Sequence, residues 1–224
     1  MTSTVAHTEP IRFYFDYISP YAYLAWTQIH ALAARHGRRV EPIAVLFAAL
    51  LNANGQKGPA EIPSKRIYLF KDALRKAHRL GVPFSMPPTH PFNPLLALRV
   101  SSLQMDDERR RSVVDAFFKA TWAGGDGIED PVSVARVLSE NGLDGEALVA
   151  EAAGSDAKAR LRRQTDEALA LGAFGVPTII AGGELFWGLD AFDAMDDHLG
   201  GRGPAERELL ERWANLKASA SRVR

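Results

Sequence analysis

Residues 11–16, IRFYFD, form an apolar and aromatic run long enough for a buried strand, and Ser19-Pro20 follows at once. Serine is a strong helix N-cap, and proline is pre-shaped for the first helical position, so this stretch predicts a strand that passes directly into a helix. Leu24, Ala25, Ile29 and Leu32 fall on one face of that helix, which Gly37 is placed to end. The run from Val40 to Phe47 then reads as a second strand, giving a βαβ unit with parallel strands.

The pattern changes after LNANGQKGPAEIP, a turn-rich loop. For about a hundred residues the periodicity is helical with almost no strand signal. One helix spans Lys65 to Leu80 with Ile67, Phe70, Leu74 and Ala77 aligned, and another opens at Asn93-Pro94. A third carries Val113, Val114, Phe117, Phe118 and Trp122, and a fourth runs from Asp130-Pro131 to Asn141-Gly142. Ser155 to Leu171 is a long helix closed by Gly172, and VPTIIAGGELFWG is a hairpin around Gly182-Gly183. Helices from Asp190 to Leu199 and from Pro204 to Leu216 finish the chain, the latter with Leu209, Leu210, Trp213 and Leu216 inward. The expected architecture is α/β, a thioredoxin-like fold with an inserted all-helical domain. Residues 8–48 and 156–218 make the discontinuous sheet domain and 49–155 the insertion.

Composition removes several functions. Lys plus Arg and Asp plus Glu both number 27, so no field of one sign exists to recruit nucleic acid or an anionic membrane. No run of about 18 apolar residues occurs, and the first ten residues, MTSTVAHTEP, lack both a basic start and an apolar stretch. The expectation is a cytoplasmic protein acting on a small molecule. There is no cysteine, which excludes disulfide exchange by the chain itself and thiolate metal sites, and no metal site is expected. Any sulfur chemistry here must use a borrowed thiol.

Ser19 is where such a thiol would be handled. At a helix N-terminus free N–H groups and the helix dipole favour an anion, and thiols placed there have pKa values lowered to roughly 3.5–7.5. Ser19 serves equally as a plain N-cap on this reading.

FYFDYISPYAYL, GAFGVPTII and GELFWGLD together resemble segments of the 2-hydroxychromene-2-carboxylate isomerases and of the closely similar kappa-class glutathione transferases. Both groups resemble disulfide oxidoreductases whose Cys-Pro-His-Cys site has been replaced, here by Ser19-Pro20-Tyr21-Ala22. The resemblance implies glutathione as cofactor, with the Ser19 hydroxyl on its sulfur. It implies a cis bond at Val176-Pro177, with the Val176 main chain pairing with the tripeptide. It places Gln56 and Lys65 around glutathione, Gln56 standing where the family has asparagine, and sets Asp190 against the γ-glutamyl ammonium. The arginine that follows this aspartate in the family is Ala191 here. Tyr21, Phe47, Phe92, Asn93, Trp122 and Trp187 are candidate walls of an aromatic-substrate pocket, although Asn93 also suits a helix start. A homodimer is the assembly the resemblance suggests. The function implied is glutathione-dependent isomerisation of an aromatic-degradation intermediate. The alternatives are kappa-like transfer or peroxidase chemistry, and a non-catalytic binding module of the same fold.

Overall fold

The structure, a computed structural model, describes residues 9–203, 212–217 and 219–220. Strand β1 (Ile11–Phe15) passes through a short turn into α1 (Pro20–Arg35), and β2 (Val40–Ala44) returns parallel to β1. Helices α2 (Phe47–Ala53), α3 (Pro63–Leu80), α4 (Leu95–Ser101), α5 (Asp107–Trp122), α6 (Pro131–Glu140), α7 (Gly145–Ala152) and α8 (Ser155–Ala170) follow before the chain re-enters the sheet. There β3 (Thr178–Ala181) and β4 (Glu184–Trp187) form the expected hairpin, with both turn glycines, Gly182 and Gly183, at positive φ. A 3₁₀ turn, Leu189–Ala191, leads into α9 (Phe192–Leu199). The sheet order is β2-β1-β3-β4, with β3 antiparallel to β1 and β4 antiparallel to β3. This is the thioredoxin-like α/β arrangement read from the sequence.

β1 is the hub because it is covered on both faces, which is why it reads as a continuous apolar run rather than an alternating one. Phe13, Phe15 and Tyr17 face Trp26 and Phe118, with Phe15 and Tyr17 at 5.5 and 4.9 Å from the Phe118 ring. Tyr14 faces the other way, into a smaller cluster with Val45, Leu50 and Ile180. Side chains of α5 and α6 join the first cluster, so the helical region and the sheet share one continuous apolar core.

Four expectations need correction. β2 ends at Ala44, not Phe47. The Leu46 N–H turns to Thr165 Oγ1 and the Phe47 N–H to the Asp16 carboxylate, and Phe47, read as the strand's last residue, instead opens α2, which runs to Ala53 into the stretch read as a loop. On α3 the buried line is Leu69, Ala73 and Ala77, while Ile67 and Leu74 are 60% and 56% exposed. The small Ala73 and Ala77 let α3 lie close against α1, so that face wins over the bulkier one. Helix α7 was not foreseen. The C-terminal helix lies mostly outside the described residues, and within them Trp213 and Leu216 are exposed rather than inward.

Helices α6 and α7 meet at Gly145, where a Cβ would fall on the Ala135 carbonyl. Gly145→Ala must therefore push the two helices apart. Overpacking of this kind costs about 1–3 kcal/mol, and urea unfolding of the variant should show that loss; unchanged stability would mean the two helices separate freely.

Candidate active site

The site begins where β1 gives way to α1. The Ser19 N–H donates to the Asp16 carbonyl at 3.2 Å, which closes the turn, and extended backbone at Ser19 (φ −95°, ψ 115°) sets it as the N-cap. Its Oγ accepts the Ala22 N–H at 3.2 Å and directs its own proton to the Val176 carbonyl at a long 3.5 Å. The Val176-Pro177 peptide bond is cis, as expected. Ser19 and Val176, 157 residues apart in sequence, are thus brought into contact, each nearly buried.

Pro20 has no N–H, and the Ala22 N–H is held by Ser19, so the Tyr21 N–H is the donor of the first turn left uncommitted. The Val176 N–H also has no partner among the described residues. A hydroxyl with a weakly held proton and two open amides therefore lie at the positive end of a 16-residue helix. That arrangement can bind an anion such as a thiolate, with a peptide backbone running beside Val176.

Trp187, at the end of β4, is 53% exposed. Its indole lies over Gly175, where an added Cβ would be 2.7 Å from Nε1, so only glycine permits the approach. Tyr21 donates its phenol proton to Asp72 at 2.8 Å, and its pKa is raised by burial and then by that carboxylate. Asp190 is 81% exposed and accepts a 2.5 Å bond from Lys76.

The other expected residues lie elsewhere or play other parts. Trp122 is 0% exposed, donates Nε1–H to the Tyr17 carbonyl at 2.8 Å and stacks on Phe84; it offers no surface to a ligand. Phe92 is likewise packed in the core, whereas Phe47 is part-exposed at the start of α2. Asn93 is exposed and accepts the Leu95 N–H at the start of α4. Gln56 and Lys65 are exposed, in the loop after α2 and in the first turn of α3, and neither side chain touches Ser19.

Two residues beside Ser19 were missed. Asp16 is 1% exposed, and its carboxylate accepts N–H bonds from Ile18 at 3.0 Å and Phe47 at 2.9 Å. Burial pushes its carboxyl up to about 7 against those two donors. His90 reaches from the helical region to the Ile18 carbonyl at 2.9 Å, just before Ser19, and burial lowers its pKa. A charge closing a buried strand was the signal for Asp16. Nothing in a lone His-Pro marked His90.

The sequence pattern of the DSBA-like thioredoxin domain matches residues 10–200. The chain belongs to that family. Within the DsbA-like family it is 30% identical, over 85% of its length and 94% of the relative's, to a 2-hydroxychromene-2-carboxylate isomerase of Pseudomonas putida. It is also 30% identical to glutathione S-transferase kappa 2 of Caenorhabditis elegans, over 75% of this chain and 78% of the relative. A solved 2-hydroxychromene-2-carboxylate isomerase superposes with a TM-score of 0.79 at 26% identity, covering 94% of this chain and all of that one. The cytosolic disulfide reductase DsbM of Pseudomonas aeruginosa, at 19% identity and a TM-score of 0.60 over 93% of this chain and all of that one, shares the fold.

Proposed function

We propose that this protein is a glutathione-dependent isomerase of the 2-hydroxychromene-2-carboxylate type, acting on a small aromatic-degradation intermediate. The observation that carries the reading is Ser19, held between the α1 N-terminus and the Val176 carbonyl in a chain with no cysteine of its own.

The residues present fit the cofactor. The Val176 N–H is open for an added backbone, and Asp190, though paired with Lys76, exposes its carboxylate to an ammonium. Glutathione supplies a thiolate that adds reversibly to an electrophilic carbon, so isomerisation needs no oxidant or reductant. Ser19 stabilises that thiolate by turning its proton from the distant Val176 oxygen to sulfur, a stronger charge-assisted bond. The Tyr21 N–H and the helix dipole act on the same charge. Trp187, whose indole lies over Gly175 next to Val176 in the chain, offers an exposed aromatic face for the substrate.

Calorimetric titration with glutathione tests this. Binding is expected with the wild type and should weaken by about tenfold in Asp190→Ala, the loss of a charge-assisted contact. No heat at millimolar glutathione would sink the proposal and leave a binding module of the same fold. The kappa-class relatives favour transfer as the second reading, which a conjugate accumulating in proportion to glutathione consumed would establish.

A further inference from the structure

The carboxylate that this reading assigns to the ligand is already in use. Lys76 Nζ lies 2.5 Å from Asp190 Oδ1 and 3.7 Å from Asp72 Oδ2, one turn back on the same helix. The lysine side chain is mostly buried, whereas Asp190 projects into solvent. Asp72 in turn holds the Tyr21 phenol, two residues from Ser19. Asp190 and Lys76 both border an open cleft of about 400 Å³ between α1, α3 and the 3₁₀ turn, with Arg79 a second cation on its α3 wall. The residue directly after Asp190 is the uncharged Ala191.

We infer that Lys76 is a specificity-determining residue, an internal ammonium that competes with the ligand's amino group for Asp190. The inference rests on the glutathione reading above. An arriving ammonium has two ways to use Asp190: to share it with Lys76, two like charges on one carboxylate, or to displace it. Asp72, within 4 Å, is the place to which a displaced Lys76 retreats. Discrimination follows from this arrangement. A thiol with a free α-amino group loses affinity to the lysine, while one whose amine is blocked never meets the competition. Displacement moves Lys76 onto Asp72, the carboxylate that also accepts the Tyr21 hydroxyl.

Glutathione and N-acetylglutathione are titrated into wild type, Lys76→Met and Asp72→Asn, with circular dichroism to confirm that each variant is folded. Met keeps the length and apolar stem of the lysine. Lys76→Met is expected to bind glutathione about fivefold more tightly, the upper end of what a partly exposed ion pair withholds, and to bind N-acetylglutathione as wild type does. Asp72→Asn keeps an acceptor for Tyr21 but removes the retreat, and should bind glutathione more weakly. If wild type binds glutathione and Lys76→Met binds it equally or less well, the inference fails and the glutathione reading stands. Silence in both proteins overturns both. Binding seen in Lys76→Met alone supports the competition directly.

Discussion

Ser19→Ala is expected to lower glutathione-dependent turnover by about 10²-fold or more, the cost of removing one hydrogen-bond donor from a developing or bound anion in a site shielded from water. The alternative explanation of such a loss is the helix cap, since Ser19 Oγ also accepts the Ala22 N–H. Removing a cap costs about 1 kcal/mol of stability, which lowers the folded fraction little and the rate of folded molecules not at all. Ser19→Asp separates the two roles. A carboxylate accepts the Ala22 N–H as serine does, so the cap is kept, with urea unfolding reporting what its charge costs beside the Val176 carbonyl, but it has no proton to give and places a negative charge against the thiolate. It should be at least as inactive as alanine. Turnover within a few-fold of wild type in both variants would assign Ser19 to capping alone.

The part of the site that could be read in sequence is the part built from local signals. Ser19-Pro20 after an apolar strand specifies a capped helix start through contacts no more than three residues apart, and the structure has it at those residues. The cis bond at Val176-Pro177 was implied by the resemblance of GAFGVPTII to the family's segment, and it is present, but the contact it makes with Ser19 lies 157 residues away in sequence and had no local signal. What failed were assignments that depend on which face of a helix meets which neighbour. Ile67 and Leu74 have the right spacing to be core, but the face of α3 that is buried is the one carrying Leu69, Ala73 and Ala77, and Ile67 and Leu74 themselves are turned outward. Trp122 shows the converse: an aromatic proposed for a pocket is held inside by its indole N–H on the Tyr17 carbonyl. The Tyr21–Asp72–Lys76–Asp190 chain joins residues up to 169 positions apart, and no single stretch of sequence announces it.

Asp16 makes the stability of this protein depend on pH in an unusual direction. Its carboxyl titrates near 7 when folded, against 3.8 for a free side chain. Between those values the folded chain holds a proton that the unfolded chain has released, so the contribution of Asp16 to stability is full below about pH 4 and is lost as pH rises through 7. The shift corresponds to about 4 kcal/mol. Most paired surface carboxylates act the other way; Asp196, held by His36 and then Arg35, has its carboxyl lowered to about 2. Measuring wild type against Asp16→Asn isolates the buried group, because every other titration is common to both proteins and cancels in the difference. Asparagine keeps one oxygen for the Ile18 or the Phe47 N–H and turns an NH₂ toward the other, a pH-independent penalty. The absolute stability of the variant is therefore not diagnostic, but its slope is. Denaturant unfolding between about pH 4 and about pH 8 should show the variant gaining on wild type by several kcal/mol as pH rises. A difference that stays flat would mean Asp16 is ionised throughout, with its two backbone donors outweighing burial. The outcome bears on catalysis as well, because the residue that carries this charge also holds the Ser19 N–H on its carbonyl and the start of α2 on its carboxylate. A proton lost there near neutral pH places a negative charge three residues from Ser19, the residue proposed to stabilise a thiolate.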